Sequence, residues 1–209
     1  MTQIYHITHI RNLNNILVSG GLVCDTNIIR DEIQITNIGY NHIKKRRRDT
    51  EIPCCKNITI GECVPFYFTN RSPMLYAINK GLVQGYSDGQ KPIIYFTACV
   101  EKIIEDATLL WWFTDGHAIE AVTRYFQDWQ YCNCIDWNII NSRIWHNTDN
   151  DPDKKRRKQA EFLIHNFLKW DYIESITVIN ADMKLRVEET LNAHPQIKRT
   201  VFIQPSWYY

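Results

Sequence analysis

The chain has 209 residues, 44% of them hydrophobic, which is enough to bury a core without disulfide bonds. Its formal net charge of +1 excludes a protein that binds polyanions by overall charge alone. No apolar run approaches the roughly 18 residues of a membrane span, and no signal peptide is evident. The sequence therefore predicts a cytoplasmic protein without a membrane partner, folded as a single domain over residues 1–209.

The basic residues are concentrated in two blocks of five, Lys44–Arg48 and Lys154–Lys158. The other 14 Lys and Arg residues face 23 Asp and Glu residues, so the rest of the chain is acidic. Two positive patches on an acidic body predict an anionic partner that binds at a defined place.

The seven cysteines are odd in number, and their spacings match neither paired zinc knuckles nor a thioredoxin motif. We expect reduced structural thiols and no bound metal. A zinc protein is the weakest of the functional alternatives.

The predicted elements begin with a strand and a helix. The segment IYHITHI alternates side chains as a strand does, and RNLNNILVSGG follows at helical spacing. His6 and His9 are three residues apart and fall on opposite faces of a strand, which argues against a shared metal site. The pattern is compatible with structural histidines and with a strand edge at which His6 and Thr8 grip a polar ligand.

Residues 24–53 show no sustained periodicity and contain the first basic block, HIKKRRR. We predict a long functional loop with at most one helical stretch. The block is compatible with a solvated surface, with a nuclear address, and with a phosphate-binding loop, for which its three arginines are suited.

A strand, VPFYFTN, and a helix follow in the middle of the chain. Ser72 is predicted as the N-cap of the helix, Pro73 as its first residue, and Gly81 as its stop. Arg71 precedes the helix start, where free backbone N–H groups favour an anion. A capped helix that packs its apolar face inward is the structural alternative, and the two are compatible.

Two further strands, KPIIYFTAC and ATLLWWFTDG, enclose a short helix, VEKIIEDA, and we predict another helix over residues 118–129. At the corner WWFTDGHAI, Asp115 and His117 are interpretable as a base and its orienting partner. Alternatively, Thr114 and Asp115 cap the predicted helix.

The second basic block is predicted as a solvated loop that runs into a strand, KKRRKQAEFLI, which begins at Glu161. A carboxylate at a strand start needs a polar or cationic partner, and such acids cluster at functional sites. An exposed edge residue is the alternative. Two more strands, ESITVINA and RTVFIQP, with the helix DMKLRVEETLNAH between them, complete an α+β domain with a mixed central sheet, flanking helices and long functional loops.

Seven segments together resemble the DarT family of bacterial DNA ADP-ribosyltransferase toxins, in order across essentially the whole chain. They are IYHITHIRNL, HIKKRRR followed by IP, VPFYFTNRSPMLYAI, FTDGHA, SRIWH, KQAEFLI and the terminal WYY. The resemblance implies an ADP-ribosyltransferase fold related to poly(ADP-ribose) polymerases. It also implies that NAD is the co-substrate and that ADP-ribose is transferred to a base of single-stranded DNA, in most described branches thymine, with release of nicotinamide.

The resemblance further implies a toxin–antitoxin system in which a DarG-like macrodomain antitoxin removes the modification. We expect the chain to act as a monomer. Two alternatives are compatible with the residues: an ADP-ribosyltransferase that modifies guanine, RNA or protein, and a nucleic-acid-binding module without catalysis.

Carried over residue by residue, the resemblance implies Glu161 as the catalytic acid, Arg47 as the essential arginine with Arg46 and Arg48 as alternatives, and His117 as an active-site histidine. The implied NAD contacts are His6, Ile7, Thr8, Asn15, Val23 and Arg47. The implied DNA contacts are Arg71, Ser72, Pro73, Met74, Leu75, Tyr76, Arg143, Ile144, Trp145, His146, Lys155, Arg156, Arg157, Lys158 and Gln159.

Overall fold

The computed structural model describes every residue from Met1 to Tyr209. The strands are β1 Gln3–His9, β2 Gly21–Val23, β3 Glu51–Ile52, β4 Cys55–Thr59, β5 Cys63–Tyr67, β6 Ile93–Cys99, β7 Trp111–Thr114, β8 Tyr125–Phe126, β9 Glu161–His165, β10 Phe167–Lys169, β11 Ser175–Val178 and β12 Thr200–Ile203. The helices are α1 Leu13–Val18, α2 Asp25–Arg30, α3 Asn41–Asp49, α4 Pro73–Asn79, α5 Val100–Ile104, α6 Trp137–Asn141, α7 Lys154–Arg157 and α8 Ala181–Asn192. None of these helices has the length and apolarity that a membrane crossing requires.

One sheet of eight strands organises the chain, in the order β12-β11-β6-β1-β5-β9-β7-β8. Its neighbouring strands are antiparallel except for the parallel pair β11 and β12. The expected α+β architecture with a mixed central sheet is therefore confirmed. Two small antiparallel ribbons, β10 with β2 and β3 with β4, lie outside this sheet.

The middle of the sheet is rich in apolar residues because both of its faces are covered. Every residue of β6 is buried. The two faces of β1 contribute to two separate cores: Ile4 packs in the cluster that contains Met183 of α8, and Ile7 packs with Leu75 of α4. The sheet is thus held by helices on each side, and β1 lies between the two cores.

The sheet opens between β1 and β5. β1 pairs with β6 along its whole length, but it pairs with β5 only at Tyr5 and Tyr67. Pro65 lies two residues before Tyr67 and has no N–H to donate to a ladder. Its carbonyl is bonded to His6 Nδ1 at 2.8 Å instead of to a strand backbone. The two strands therefore diverge from His6 onward, and a cleft begins there.

Several elements differ from the predictions. The helix predicted over residues 118–129 is wrong: the segment forms turns and the short strand β8, which pairs with β7. The carboxylate of Asp115 binds the Arg124 backbone N–H at 3.0 Å and the Arg124 Nε at 2.7 Å, and this holds the chain in a hairpin. Side-chain bonds to the backbone and strand pairing outweigh helix propensity here.

The interpretation of Thr114 and Asp115 as helix caps is also wrong, because no helix follows them. Residues 24–53 contain two helices, α2 and α3, and not the long loop with at most one helical stretch that the sequence predicted. The second basic block is helical in α7, not a solvated loop. The capping arrangement of α4 is confirmed: Ser72 Oγ accepts from the Leu75 N–H at 3.2 Å, and Pro73 is the first helical residue.

Candidate active site

A cavity of about 1170 Å³ lies over the gap between β1 and β5. Its wall contains all the predicted catalytic and NAD-contact residues, namely His6, Ile7, Thr8, Asn15, Val23, Arg47, His117 and Glu161. It also contains eight of the predicted DNA contacts, namely Pro73, Met74, Tyr76, Trp145, His146, Lys155, Arg156 and Gln159. The structure thus brings together residues that span almost the whole sequence.

Glu161 lies on the floor of this cavity at the start of β9, with 1% of its surface exposed. The alternative of an exposed edge residue is therefore wrong. Its Oε1 accepts from the Ala118 N–H at 3.0 Å, and its Oε2 accepts from Arg47 NH1 at 2.7 Å. Its own backbone N–H donates to Thr114 Oγ1 at 3.0 Å. A carboxylate can accept about four hydrogen bonds, so Glu161 keeps capacity for a ligand.

Arg47 reaches Glu161 because of how α3 is seated. The helix packs against the turn at Gly61, where a side-chain Cβ would lie 2.8 Å from the Arg48 Cα. Lys44 and Arg48 lie one helical turn apart, and both pair with Asp25 of α2. These contacts fix the rotation of α3 about its axis.

Of the three consecutive arginines, Arg47 is the one that contacts Glu161. Arg46 donates to the Ile119 carbonyl at 3.2 Å, and Arg48 binds Asp25. The structure therefore favours Arg47 over the two alternatives that the sequence left open. Sequence reasoning missed Asp25, since a single acid at the start of a helix resembles any other.

The Arg47 side chain is only 13% exposed, and its NH2 nitrogen is buried without a hydrogen-bond partner. Burial opposes its charge, but the carboxylate of Glu161 more than offsets this and the pKa of Arg47 is raised. A buried guanidinium nitrogen with nothing to bind is a vacant donor for an acceptor in the cavity.

His117 forms part of the cavity wall beside this pair. Burial lowers the pKa of its imidazole, although the charge of Glu161 acts in the opposite direction. The ring is therefore neutral at pH 7. Its backbone N–H donates to the Arg156 carbonyl at 3.0 Å, so α7 holds the His117 turn in place.

The other end of the cavity is closed by the segment before α3. Asn12 Nδ2 donates to the Thr36 carbonyl at 3.0 Å, and the Thr36 N–H donates to Asn12 Oδ1 at 2.7 Å. Asn15 Nδ2 donates to the Gln34 carbonyl at 2.6 Å. Asn12 also donates to Thr8 Oγ1 at 3.0 Å, so the segment is tied to β1. Asn12 carries no signal in the sequence that distinguishes it from its neighbours.

An aromatic cluster lies where the cavity meets α4. The ring of Tyr76 makes edge-on contacts with Trp145, at a centroid distance of 5.4 Å, and with Tyr209, at 5.1 Å. The Arg71 guanidinium lies 4.4 Å from the centroid of the Tyr209 ring. Tyr76 and Trp145 of this cluster line the cavity, and Arg71 adds one cation behind them through Tyr209.

The second basic block is largely neutralised within the protein, which revises its expected role. Arg156 binds Asp115 at 2.9 Å and Asp153 at 2.8 Å, and Arg157 binds Asp136 and Asp151. Lys158 is buried. Within this block, Lys155 is exposed and without a side-chain partner, whereas Lys158 is interior. Of the DNA contacts predicted outside the block, Ser72 and Leu75 are also interior residues.

Comparison with known proteins agrees with this geometry. The sequence profile of the family described as "ssDNA thymidine ADP-ribosyltransferase, DarT" matches residues 5–209. A Thermus aquaticus protein named DNA ADP-ribosyl transferase is 35% identical over 209 residues, which are 100% of this chain and 89% of the relative.

The solved structure of Thermus sp. 2.9 DarT in complex with ADP-ribosylated ssDNA has a TM-score of 0.92 and 34% identity, over 100% of this chain and 96% of that one. The same protein in complex with NAD+ has a TM-score of 0.86 and 32% identity, over 100% and 98%. A DNA ADP-ribosyl transferase-DNA ADP-ribosyl glycohydrolase fusion protein from Thermosipho africanus is 27% identical over 190 residues, which are 91% of this chain and 46% of the fusion.

Fold, cleft and relatives together define the class of this protein as a DNA ADP-ribosyltransferase. The match to the family extends over all but the first four residues. The chain therefore belongs to the DarT family of single-stranded DNA thymidine ADP-ribosyltransferases, whose co-substrate is NAD. The family resemblance and the ADP-ribosyltransferase fold expected from the sequence are confirmed.

Proposed function

We propose that the chain is a toxin that transfers ADP-ribose from NAD to thymine in single-stranded DNA and releases nicotinamide. The observation that carries this proposal is the ion pair of the buried Glu161 and the mostly covered Arg47, 2.7 Å apart, on the floor of one continuous cavity. The cavity runs from the open edge of β1 to the aromatic cluster around Tyr76. One cavity therefore has room for both substrates, with the acid between them.

The residues on the β1 side fit NAD. The cavity volume of about 1170 Å³ is ample for a dinucleotide. Where β1 leaves β5, its backbone is free to bind a polar ligand, as expected for His6, Ile7 and Thr8. The vacant Arg47 NH2 is a donor for an NAD oxygen or for the incoming base. Asn15 and Val23 complete this half.

Glu161 is the proposed catalytic acid. When the bond between the ribose C1″ and the nicotinamide nitrogen breaks, the electron pair leaves with nicotinamide and the ribose becomes cationic. A fixed carboxylate in a site with little water stabilises that charge. The bonds from Ala118 and Arg47 hold the carboxylate in place before the substrate arrives, so no reorganisation is needed during the reaction.

The base completes the transfer when its nitrogen forms the new bond to C1″ and loses its proton. A guanidinium is essentially always protonated and is a poor base. We therefore assign Arg47 to stabilising the negative charge that develops on the base, and Glu161 or a water molecule to accepting the proton. His117, neutral at pH 7, is the third polar side chain of this centre.

The DNA half of the cavity is assigned to exposed or half-exposed side chains. Single strands are bound by aromatic groups that stack bases and by cations that follow the backbone. Tyr76 and Trp145 are the proposed aromatic groups. The proposed cations are Arg71, Arg143 and Lys155. A base-pairing nitrogen is accessible only in an unpaired strand, which explains the choice of single-stranded DNA.

A macrodomain of the DarG type, which removes the modification, is the proposed antitoxin. The fusion of a transferase to a DNA ADP-ribosyl glycohydrolase in the Thermosipho protein supports this pairing. We propose that the chain acts as a monomer in the cytoplasm, where both NAD and single-stranded DNA are present.

Purified protein incubated with NAD and four homopolymeric DNA oligonucleotides, with matching RNA, tests the proposal. Mass spectrometry should detect addition of one ADP-ribose to thymine-containing DNA only. Glu161→Gln should abolish it, whereas Glu105→Gln, an exposed acid outside the cavity, should not. Modification of guanine, RNA or the protein itself would replace thymine as the target, and no NAD consumption would indicate a binding module.

A further inference from the structure

Three segments that are distant in the sequence form the DNA half of the cavity: residues 69–76, 140–146 and 154–159. All three meet at one buried side chain, Lys158. The sequence placed Lys158 in a run of cations expected to contact DNA, but its surface is only 1% exposed. Its ammonium is directed into the protein.

Each proton of this ammonium has an acceptor. Lys158 Nζ donates to the Ile140 carbonyl at 2.6 Å, to the Ser142 carbonyl at 2.8 Å and to Thr69 Oγ1 at 3.4 Å. Ile140 and Ser142 are at the C-terminal end of α6, where free carbonyls favour a cation. Thr69 lies two residues before Arg71.

The arrangement is costly, which makes a purely passive role a poor explanation. An ammonium that is buried among neutral oxygens, with no carboxylate nearby, loses hydration free energy that its hydrogen bonds recover only in part. Burial, with a further contribution from the charge of Arg71, lowers the pKa of Lys158 to about 8. A Met or Leu at this position would fill the same space without a buried charge, but it would leave the Ile140 and Ser142 carbonyls without this donor.

The bonds continue from the ammonium to the aromatic cluster. Beyond Ser142, the Ile144 N–H donates to Ser142 Oγ at 3.1 Å, which orients the chain into Trp145. Trp145 in turn contacts Tyr76. On the other side, Lys158 is three residues before Glu161. The residue that carries this ammonium thus links the segment of Trp145 to the chain that leads into the strand of Glu161.

We propose that Lys158 is a positioning residue that holds the DNA-binding segments at a fixed distance from Glu161 and does not itself touch DNA. The inference rests on the proposed function, since it assumes that the strand lies along Tyr76 and Trp145. It assigns Lys158 a different task from Lys155 in the same block. Lys155 is exposed and is expected to act by charge.

The test uses Lys158→Met in the full chain, with kinetics measured separately for the two substrates. We expect kcat/KM for a thymine oligonucleotide to fall on the order of 10- to 100-fold, the scale of a small misplacement of the substrate. NAD hydrolysis with water as the acceptor should stay within about twofold of the unmodified chain, because the NAD half does not depend on this brace. Equal losses of both activities, or no loss of either, would overturn the proposal.

A double-variant cycle separates positioning from stability. In a Trp145→Ala background, Lys158→Met should cost much less than in the unmodified chain, because the group to be positioned is already gone. Full additivity would contradict the proposal. If Lys158→Met does not fold, Thr69→Val removes one acceptor with little change of shape and should raise the DNA KM alone.

Failure of the unmodified chain to modify any single-stranded DNA would instead overturn the proposed function, and that result is visible before any variant is made.

Discussion

The guanidinium of Arg47 and the carboxylate of Glu161 come from residues 114 positions apart and meet at 2.7 Å on the cavity floor. Glu161 is buried and Arg47 is mostly covered, and each charge would be costly to enclose alone. The pair therefore belongs to the folded core and to the reaction centre at once. Changes to either residue should be measured in both respects.

Glu161→Gln should lower ADP-ribose transfer on the order of 10³-fold, because the neutral amide cannot stabilise the cationic ribose. It should also lower the free energy of unfolding by about 3–5 kcal/mol, because Arg47 is left as an unpaired buried charge. Transfer assays and denaturant unfolding check the two effects.

The double variant Arg47→Met/Glu161→Gln separates the effect of Glu161 on transfer from its effect on stability. Removing both charges should restore part of the lost stability but none of the activity. Recovery of activity together with stability would show that Glu161 acts only through the fold.

Arg47→Lys should keep the positive charge but lose transfer to DNA more than NAD hydrolysis. A lysine ammonium cannot present the planar pair of donors that reaches Glu161 and the vacant position at the same time. The two activities are measured on one preparation, by oligonucleotide mass and by nicotinamide release. Near-full transfer by this variant would contradict a specific guanidinium role.

Transfer to single-stranded DNA should weaken with added salt, but less steeply than five free cations in the second block would require. Each phosphate contact contributes a slope of about −0.7 in a plot of log affinity against log salt for single strands. Lys155→Gln should make the slope shallower by roughly that amount. Arg157→Gln should leave the slope unchanged, because Asp136 and Asp151 already occupy its guanidinium.

Thermal unfolding of the same two variants provides the control. Arg157→Gln should lower the melting temperature, since two carboxylates lose their partner, and Lys155→Gln should not. Equal effects of both substitutions on the salt slope would show that Arg157 turns outward to DNA.

Stability should fall as the pH drops below about 6.5, the ordinary pKa of histidine. Burial lowers the pKa of His6, His9, His117 and His165 in the folded chain. The unfolded chain therefore binds more protons than the folded chain between the lowered values and 6.5. The contribution of these histidines to the free energy of unfolding is fully present above pH 6.5. It is lost as the pH falls through their lowered pKa values in the folded chain.

His6→Gln should flatten this dependence, because one imidazole whose pKa is lowered in the folded chain is removed. The measurement is denaturant unfolding at a series of pH values between about 5 and 8. An identical pH profile for His6→Gln and the unmodified chain would rule out the contribution of His6.

Much of the fold could be predicted because its long strands carry their own signal. The alternation in β1 and the apolar run of β6 are local properties of the sequence, and so is the cap at Ser72. The short ribbon of β2 and β10 was missed, since three residues carry too little pattern. The predicted helix over residues 118–129 failed because its competitor, Asp115, acts through bonds that sequence periodicity does not record.

In the site, too, local patterns were predictable and contacts between distant residues were not. The residue pattern singled out Glu161 and the arginine block, and the family resemblance named Arg47 within that block. The contact between Arg47 and Glu161 depends in addition on the rotation of α3, which Asp25 and Gly61 set and which no local pattern shows. The basic run at 154–158 was misread as solvated. Three of its partners, Asp115, Asp136 and Ile140, are 18 or more positions away in the chain, and no local pattern links them to it.

Pro65 has a consequence beyond its own strand. Two adjacent strands pair through backbone hydrogen bonds wherever both edges have free donors and acceptors. Proline lacks the backbone N–H that this pairing would require at residue 65. The aperture between β1 and β5 is therefore favoured by the covalent structure of one residue and does not depend on a hinge. The opening for the ligand is thus a preformed feature of the sheet.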